Sequence, residues 1–193
     1  MSEPWTVTAP DRSAIRHWAK LRLWVGYLYL LCAVVLARPL PIWTALGLLL
    51  VLAGIALRVV AAATLVKDTR LCTDGVYSLT RNPLYLGSAL IGLGFASLTA
   101  SLWFLLAFAV VLAPIYWRMI ILEETYLTEL HPDIFPSYRR SVPRFLPRLP
   151  NLRTLAAALD TAQLRETREI SSAVLIALLV GILLAWHRSW LAP

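Results

Sequence analysis

Hydrophobic positions along this chain fall into five long blocks separated by short polar ones. The first runs from about Leu21 to Ala37 and is tied to the second by Arg38-Pro39-Leu40-Pro41, a link short enough to demand an antiparallel hairpin. The second, about Ile42 to Val66, exceeds the ~20 residues that cross hydrocarbon, so its last turns are expected to tilt or to protrude into the headgroup layer. After the polar stretch Lys67 to Arg81, with Asp74-Gly75 as a turn signal, Asn82-Pro83 opens a third block that ends near Ser97. Thr99-Ala100-Ser101 returns the chain into a fourth, Leu102 to Leu122, with a kink expected at Pro114. Glu123 to Arg168 is the largest polar stretch. It reads as a proline-punctuated loop over Pro132 to Pro150 and an amphipathic surface helix over Thr154 to Arg168. A fifth block, about Ile170 to Trp186, follows, with Trp190 at an aromatic interface position.

Each block is long enough to be a helix in lipid. The predicted fold is therefore all-α, a polytopic membrane bundle of about five transmembrane helices. Its organisation divides into residues 1–68 (N-terminal segment and spans one and two), 69–150 (spans three and four with their polar segment) and 151–193 (amphipathic segment and fifth span). Composition agrees: 59% of the 193 residues are hydrophobic and 15% charged, with mean hydropathy +0.69, more apolar surface than a soluble domain of this size can hide. Small residues in span three (Gly87, Ser88, Gly92, Gly94) suit close helix approach in lipid. The first block lacks a small-residue cleavage signature and reads as a retained span.

Charge then orients the bundle. Of 18 basic residues, 14 lie on Met1–Arg22, Lys67–Arg81 and Glu123–Arg168, which five spans put on one side. The positive-inside rule makes that side cytoplasmic, and the chain's compactness points to a bacterial inner membrane. The net charge of +7 sits in loops flanking apolar segments, so anionic lipid headgroups and not nucleic acid are the expected partners. Cys32 and Cys72 form no disulfide framework. With His17, His131 and His187 scattered, there is no metal-ligand spacing. No phosphate-binding glycine loop follows a strand, which excludes a conventional soluble nucleotide-binding domain. Oligomeric state is not legible.

The groups capable of chemistry gather on the polar side. Asn82-Pro83 is a good helix start on its own, but Tyr77, Arg81 and Tyr85 surround it with two phenols and a guanidinium, at a helix end that favours an anion. Glu123-Glu124 would be repelled by the helix dipole if the fourth helix stopped there. If it continued to about Leu130, they would lie mid-helix at the membrane surface, free to hold a cation or amine or to pair with Arg118. Arg58, a charge within span two, either snorkels toward the interface or belongs to the site. Tyr138, Arg139, Arg140 and Arg144 form a further cluster, for which lipid attachment is the simpler reading.

The segment from about Thr69 to Pro147, about 80 of the 193 residues, resembles the isoprenylcysteine carboxyl methyltransferase and phospholipid methyltransferase family. The residues that carry the likeness are Gly75-Val76-Tyr77, Thr80-Arg81-Asn82-Pro83-Leu84-Tyr85-Leu86-Gly87, Glu123-Glu124-Thr125-Tyr126-Leu127, Tyr138, and Val142-Pro143-Arg144-Phe145-Leu146-Pro147. The resemblance implies S-adenosylmethionine bound in a pocket on the cytoplasmic face and a lipid or lipid-like acceptor arriving from the bilayer. It implies that Tyr77, Arg81, Asn82, Pro83, Leu84, Tyr85, Tyr138 and Arg144 line the cofactor pocket, that Leu71 and Cys72 hold the adenosine end, and that Glu123 engages the cofactor's amino group. Arg118 is carried over as a substrate-contacting residue, and Glu124 as a possible proton acceptor. Many members have His where this chain has Asn82, which cannot titrate near neutral pH. With no tuned base in view, a carboxylate or thiolate acceptor is favoured over an ammonium. Two other readings remain open: an NADPH-dependent membrane reductase of the sterol-reductase type, and a non-enzymatic membrane scaffold.

Overall fold

The computed structural model describes residues 12–37, 40–64, 71–148 and 169–191. Over these residues the chain is all-helical. Helix α1 spans Arg12–Leu36 and α2 spans Pro41–Thr64. A short 3-10 turn, Gly75–Ser78, precedes α3, Pro83–Thr99. Helix α4 runs Leu102–Leu130, the short α5 covers Phe135–Ser141 and α6 covers Glu169–Leu191. Three of these, α1 (from Ser13), α2 and α4, are long and apolar enough to cross a membrane, and Pro83–Thr99 and Ser171–Ala185 are shorter apolar helices. The chain is an integral membrane protein built as a helical bundle.

The central contact is between α2 and α3, which run antiparallel with their backbones nearly touching. A Cβ on Gly54 would lie 2.6 Å from the Gly87 carbonyl oxygen, and one on Gly47 would lie 2.8 Å from the Gly94 carbonyl oxygen. Each helix carries its two glycines seven residues apart, two turns on the same face, so the pairs meet at two levels. In lipid the apolar effect does not drive helices together, and such close backbone packing takes its place. Around this pair Tyr29, Val51, Phe95, Leu98, Phe108, Leu112 and Leu183 form a buried cluster drawn from α1, α2, α3, α4 and α6. The Tyr29 hydroxyl reaches the Gly92 carbonyl at 3.1 Å.

Several boundaries differ from the hydropathy reading, for physical reasons. Helix α1 begins nine residues before Leu21, because Ile15, Trp18 and Ala19 give the polar flank an apolar stripe that packs on Tyr85, Met119 and Ile120. The described part of α2 ends at Thr64, with Ala61 to Thr64 buried, so this end is packed and not protruding. The expected kink at Pro114 takes the form of a π-helical turn at Phe108–Leu112, which accommodates the proline's missing N–H and its ring. Helix α4 then continues to Leu130, placing Glu123 and Glu124 inside a helix. The stretch after Pro132 is not all loop: α5 forms there, with Pro136 in its first turn, where a proline's missing N–H is harmless. The tight return at 99–101 places Ala100 in the left-handed region at φ 47°. Lys67, the surface helix read over Thr154 to Arg168 and the side chain of Trp190 lie outside the described residues.

Replacement of Gly54 by alanine drives a methyl into a backbone carbonyl that cannot swing away. The expected loss is about 1–3 kcal/mol, seen as a lower thermal midpoint in detergent. Gly181→Ala, where a Cβ meets nothing within 4 Å, leaves the midpoint unlowered.

Candidate functional site

The polar end of the bundle is assembled from the loop before α3, the middle of α4, and the arm that follows α5. Gly75 adopts φ 57°, a conformation open to glycine at little cost, and starts the 3-10 turn that folds Val76 and Tyr77 onto Ala61 of α2. The Cys72 thiol donates to the Thr64 carbonyl at 3.0 Å. The arm is laced to this loop. The Arg81 backbone N–H donates to the Pro143 carbonyl at 3.0 Å and the Arg148 N–H to the Leu79 carbonyl at 3.0 Å. The Thr80 hydroxyl is 3.0 Å from the Phe145 carbonyl. Tyr138 of α5 donates its hydroxyl to the Tyr77 carbonyl at 2.7 Å, and burial pushes this phenol well above its usual range, keeping it a donor. Leu71 is buried against Phe135 and Tyr138.

Glu124 is the electrostatic centre. It is 4% exposed. Arg144 forks onto its Oε2, with Nη2 at 2.9 Å and Nε at 3.1 Å. Asn82 Nδ2 donates to Oε1 at 3.2 Å, and Arg81 Nη2 stands 3.4 Å from the same oxygen. Asn82 Nδ2 also reaches the Arg144 carbonyl at 3.0 Å. Asn82-Pro83 does start α3, yet the Asn82 side chain makes no capping hydrogen bond, because Glu124 and the Arg144 carbonyl claim it. Its carbonyl still accepts the first helical N–H, from Leu86, at 3.0 Å.

Glu123, one residue earlier and so ~100° around the helix, faces a different set of partners. It accepts the Tyr85 hydroxyl at 2.7 Å. The Arg22 guanidinium lies 5.2 Å from the centre of the Tyr85 ring, and Tyr116 packs edge-on at 6.2 Å. Arg81, with a side chain only 7% exposed, leaves Nε and Nη1 buried without a hydrogen-bond partner. Burial pulls its guanidinium below its ordinary range, with Glu124 opposing the shift, yet arginine stays protonated at any working pH. Buried donors of a charged group are rarely left unmatched, so these two N–H groups mark a place for an acceptor.

Of the sequence candidates, Leu71, Cys72, Tyr77, Arg81, Asn82, Pro83, Tyr85, Glu124 and Tyr138 are buried or have buried side chains here, with Leu84, Glu123 and Arg144 half-buried at the same end. Arg118 is not brought in. It is exposed, since five residues before Glu123 is ~140° around the helix, and the residues that do face the site one turn back are Met119 and Ile120, each 1% exposed. The pairing of Glu123 or Glu124 with Arg118 is likewise replaced by the partners described. Sequence reasoning passed over Arg22, which it counted as a flank charge; its position four residues after Trp18, on the stripe that packs on Tyr85, was the available signal. Arg58 Nη1 donates to Ser88 Oγ and, at 3.4 Å, to the Leu84 carbonyl in the first turn of α3.

Residues 42–133, covering α2, α3 and α4, match the family model described as phospholipid methyltransferase. Over that stretch, a little under half of the chain, the sequence is similar to this family. It is also 34% identical over 101 residues to the protein-S-isoprenylcysteine O-methyltransferase of Schizosaccharomyces pombe, across 52% of this chain and 43% of that protein. Similarity extends to the cobalt-zinc-cadmium resistance protein CzcN of Cupriavidus metallidurans, 39% identical over 83 residues, 43% of this chain and 38% of the relative. The nickel-cobalt-cadmium resistance protein NccN of Alcaligenes xylosoxydans xylosoxydans is 35% identical over the same length. The matches thus span less than half the length of these relatives. No solved structure matches the chain significantly. The matched segment contains Arg58, Arg81, Asn82, Tyr85, Glu123 and Glu124, while Arg22 and Arg144 come from outside it.

Glu124→Leu leaves Arg144, Arg81 and Asn82 facing a buried apolar group. Breaking such a pair costs about 3–5 kcal/mol, and the detergent-solubilised variant is expected to unfold at a clearly lower temperature than the parent. An unchanged midpoint would show that the arm is held by its backbone bonds alone.

Proposed function

We propose that the chain is an S-adenosylmethionine-dependent membrane methyltransferase that modifies a lipid or lipid-like acceptor. The observation that carries this reading is the pairing, at one end of the bundle, of a buried guanidinium with two unmatched N–H donors (Arg81) and a half-buried carboxylate held by a phenol (Glu123 with Tyr85). An amino-acid zwitterion is complementary to that pair, its carboxylate matching Arg81 and its ammonium matching Glu123. The residues present therefore fit the methionine moiety of the cofactor, and Leu71, Cys72, Tyr77 and Tyr138 offer a buried, partly aromatic wall for its adenosine.

When bound, the sulfonium supplies an activated methyl whose transfer releases a neutral thioether and needs no general acid. What the protein contributes is alignment and exclusion of water, which can supply several kcal/mol. Glu124 positions rather than accepts protons in this scheme, since both its oxygens are already engaged. Asn82 orders Glu124 and the arm, and so needs no titratable nitrogen. An acceptor that is already a nucleophile at neutral pH suits such a site. The exposed Arg139, Arg140 and Arg148 would rest against anionic headgroups, with this end cytoplasmic by the positive-inside bias.

Titration calorimetry of the purified protein with S-adenosylhomocysteine tests the reading. Saturable binding is expected, weakened at least tenfold by Glu123→Gln and by Arg81→Gln in protein that remains folded. Binding of NADPH with none of S-adenosylhomocysteine would replace the reading with the reductase one, and indifference to both with the scaffold.

A further inference from the structure

A single nitrogen of Asn82 serves two acceptors on two different segments. Its Nδ2 donates to Glu124 Oε1 at 3.2 Å and to the Arg144 carbonyl at 3.0 Å, and the residue is buried. Arg144 is thereby held twice. Asn82 takes its main chain, while its guanidinium forks onto Glu124 Oε2 and stands 5.1 Å from the centre of the Trp117 ring. The three residues close a ring of contacts, from the residue before α3 to α4, from α4 to the arm, and from the arm back again. Beside this ring lies the Arg81 guanidinium, with Glu124, Arg144, Arg139 and Tyr138 in electrostatic reach and two N–H groups unmatched. Its main-chain N–H is bonded to Pro143 of the arm, and its side chain is shut away from solvent.

We propose that Asn82 is a positioning residue that latches the arm over Arg81, using both hydrogens of one amide nitrogen so that its own contribution does not depend on pH. Two acceptors, a carboxylate and a main-chain carbonyl, must be satisfied from one position. A carboxamide brings two N–H donors on one nitrogen and does not titrate near neutral pH. A neutral imidazole has one N–H, and only the imidazolium has two. A histidine here would therefore hold both acceptors when protonated and release one as pH rises. A hydroxyl offers a single donor at every pH. Each donor lost leaves a buried acceptor without its partner, which costs more than the bond itself contributes. The unmatched donors of Arg81 lie under the arm, so a molecule reaches them when the arm lifts and is enclosed when the latch re-forms. That this molecule is the methyl donor rests on the methyltransferase reading. The latch itself does not.

Amide hydrogen exchange of the full chain in nanodiscs reads the arm directly, because the Arg81 N–H bonds to Pro143 and the Arg148 N–H to Leu79. Asn82→Ser and Asn82→His are compared with the parent at about pH 5.5 and about pH 8.5, either side of the ~6.5 of an ordinary histidine. The other charged and titratable groups around position 82 are Glu124 of α4, Arg81, Arg144 of the arm, and Tyr138 and Arg139 of α5. All three chains share them, so the ratio of variant to parent at each pH isolates the one residue. For Asn82→Ser, exchange of the Arg81 and Arg148 amides should rise at least tenfold at both pH values, with the Gly54–Gly87 contact unchanged. For Asn82→His it should match the parent at the lower pH and rise at least tenfold at the higher. S-Adenosylhomocysteine affinity, titrated on the same samples, should fall in step. Arm exchange unchanged in Asn82→Ser, or a histidine ratio that does not change with pH, overturns the latch. Affinity that does not follow arm exchange overturns the positioning role. A parent that binds no S-adenosylhomocysteine, with the exchange results as expected, would instead remove the methyltransferase reading and leave the latch standing.

Discussion

One carboxylate, Glu124, holds the polar end of this protein together. It sits on a helix otherwise apolar for most of its length, and at 4% exposure burying its carboxylate is costly unless donors replace water. Every donor that does so comes from a segment distant in sequence: Arg81 and Asn82 from the start of α3, Arg144 from the arm beyond α5. Satisfying one charge therefore fixes three pieces of chain against each other. The arm's backbone bonds to Leu79 and Arg81 then close the loop over the end of the bundle. Arg81 is drawn in by the same attraction, and it arrives with two N–H groups to spare.

The neighbouring carboxylate shows how much a single helical step decides. Glu123 and Glu124 have the same chemistry and adjacent positions, yet one is locked between guanidiniums and the other takes a phenol and stays half-buried. That division needs α3 to present Asn82 and Tyr85 on adjacent faces at the right height, and the height is set deeper in the bundle. The two glycine levels between α2 and α3 allow no sliding, because each pair places backbone against backbone. Since Gly87 lies only two residues beyond Tyr85, the packing that joins the helices also positions the first turn of α3.

The bundle itself was legible in the hydropathy, because a helix in lipid must satisfy its backbone internally and advertises that with a long apolar run. Proximity between segments was less so. Asn82 followed by Pro83 looks like a helix cap by local rules, and only the distant Glu124 explains why its side chain turns away. Arg118 was carried to the site by the family resemblance, while the rotation of the helix leaves it exposed and away from Glu124. Helix α5 was hidden by Pro132 and Pro136, residues that read as loop until one of them proves to sit in a first turn. Arg22 was counted by its charge, as a flank residue, when its position on the α1 stripe was the informative property.

The family-matched segment and the rest of the chain contribute different things. Tyr85 of α3, Glu123 and Glu124 of α4, and Arg81 just before α3 all lie within residues 42–133. An inner cavity, by contrast, is completed from outside that stretch, by Arg22 and Tyr29 of α1 and by Ser172, Leu175 and Ile176 of α6. A shared core flanked by separate helices can keep one chemistry while changing what it accepts, because altering α1 or α6 leaves the Glu124 contacts untouched. Arg22 and Tyr116 are common to both, each against Tyr85 on one side and lining the cavity on the other.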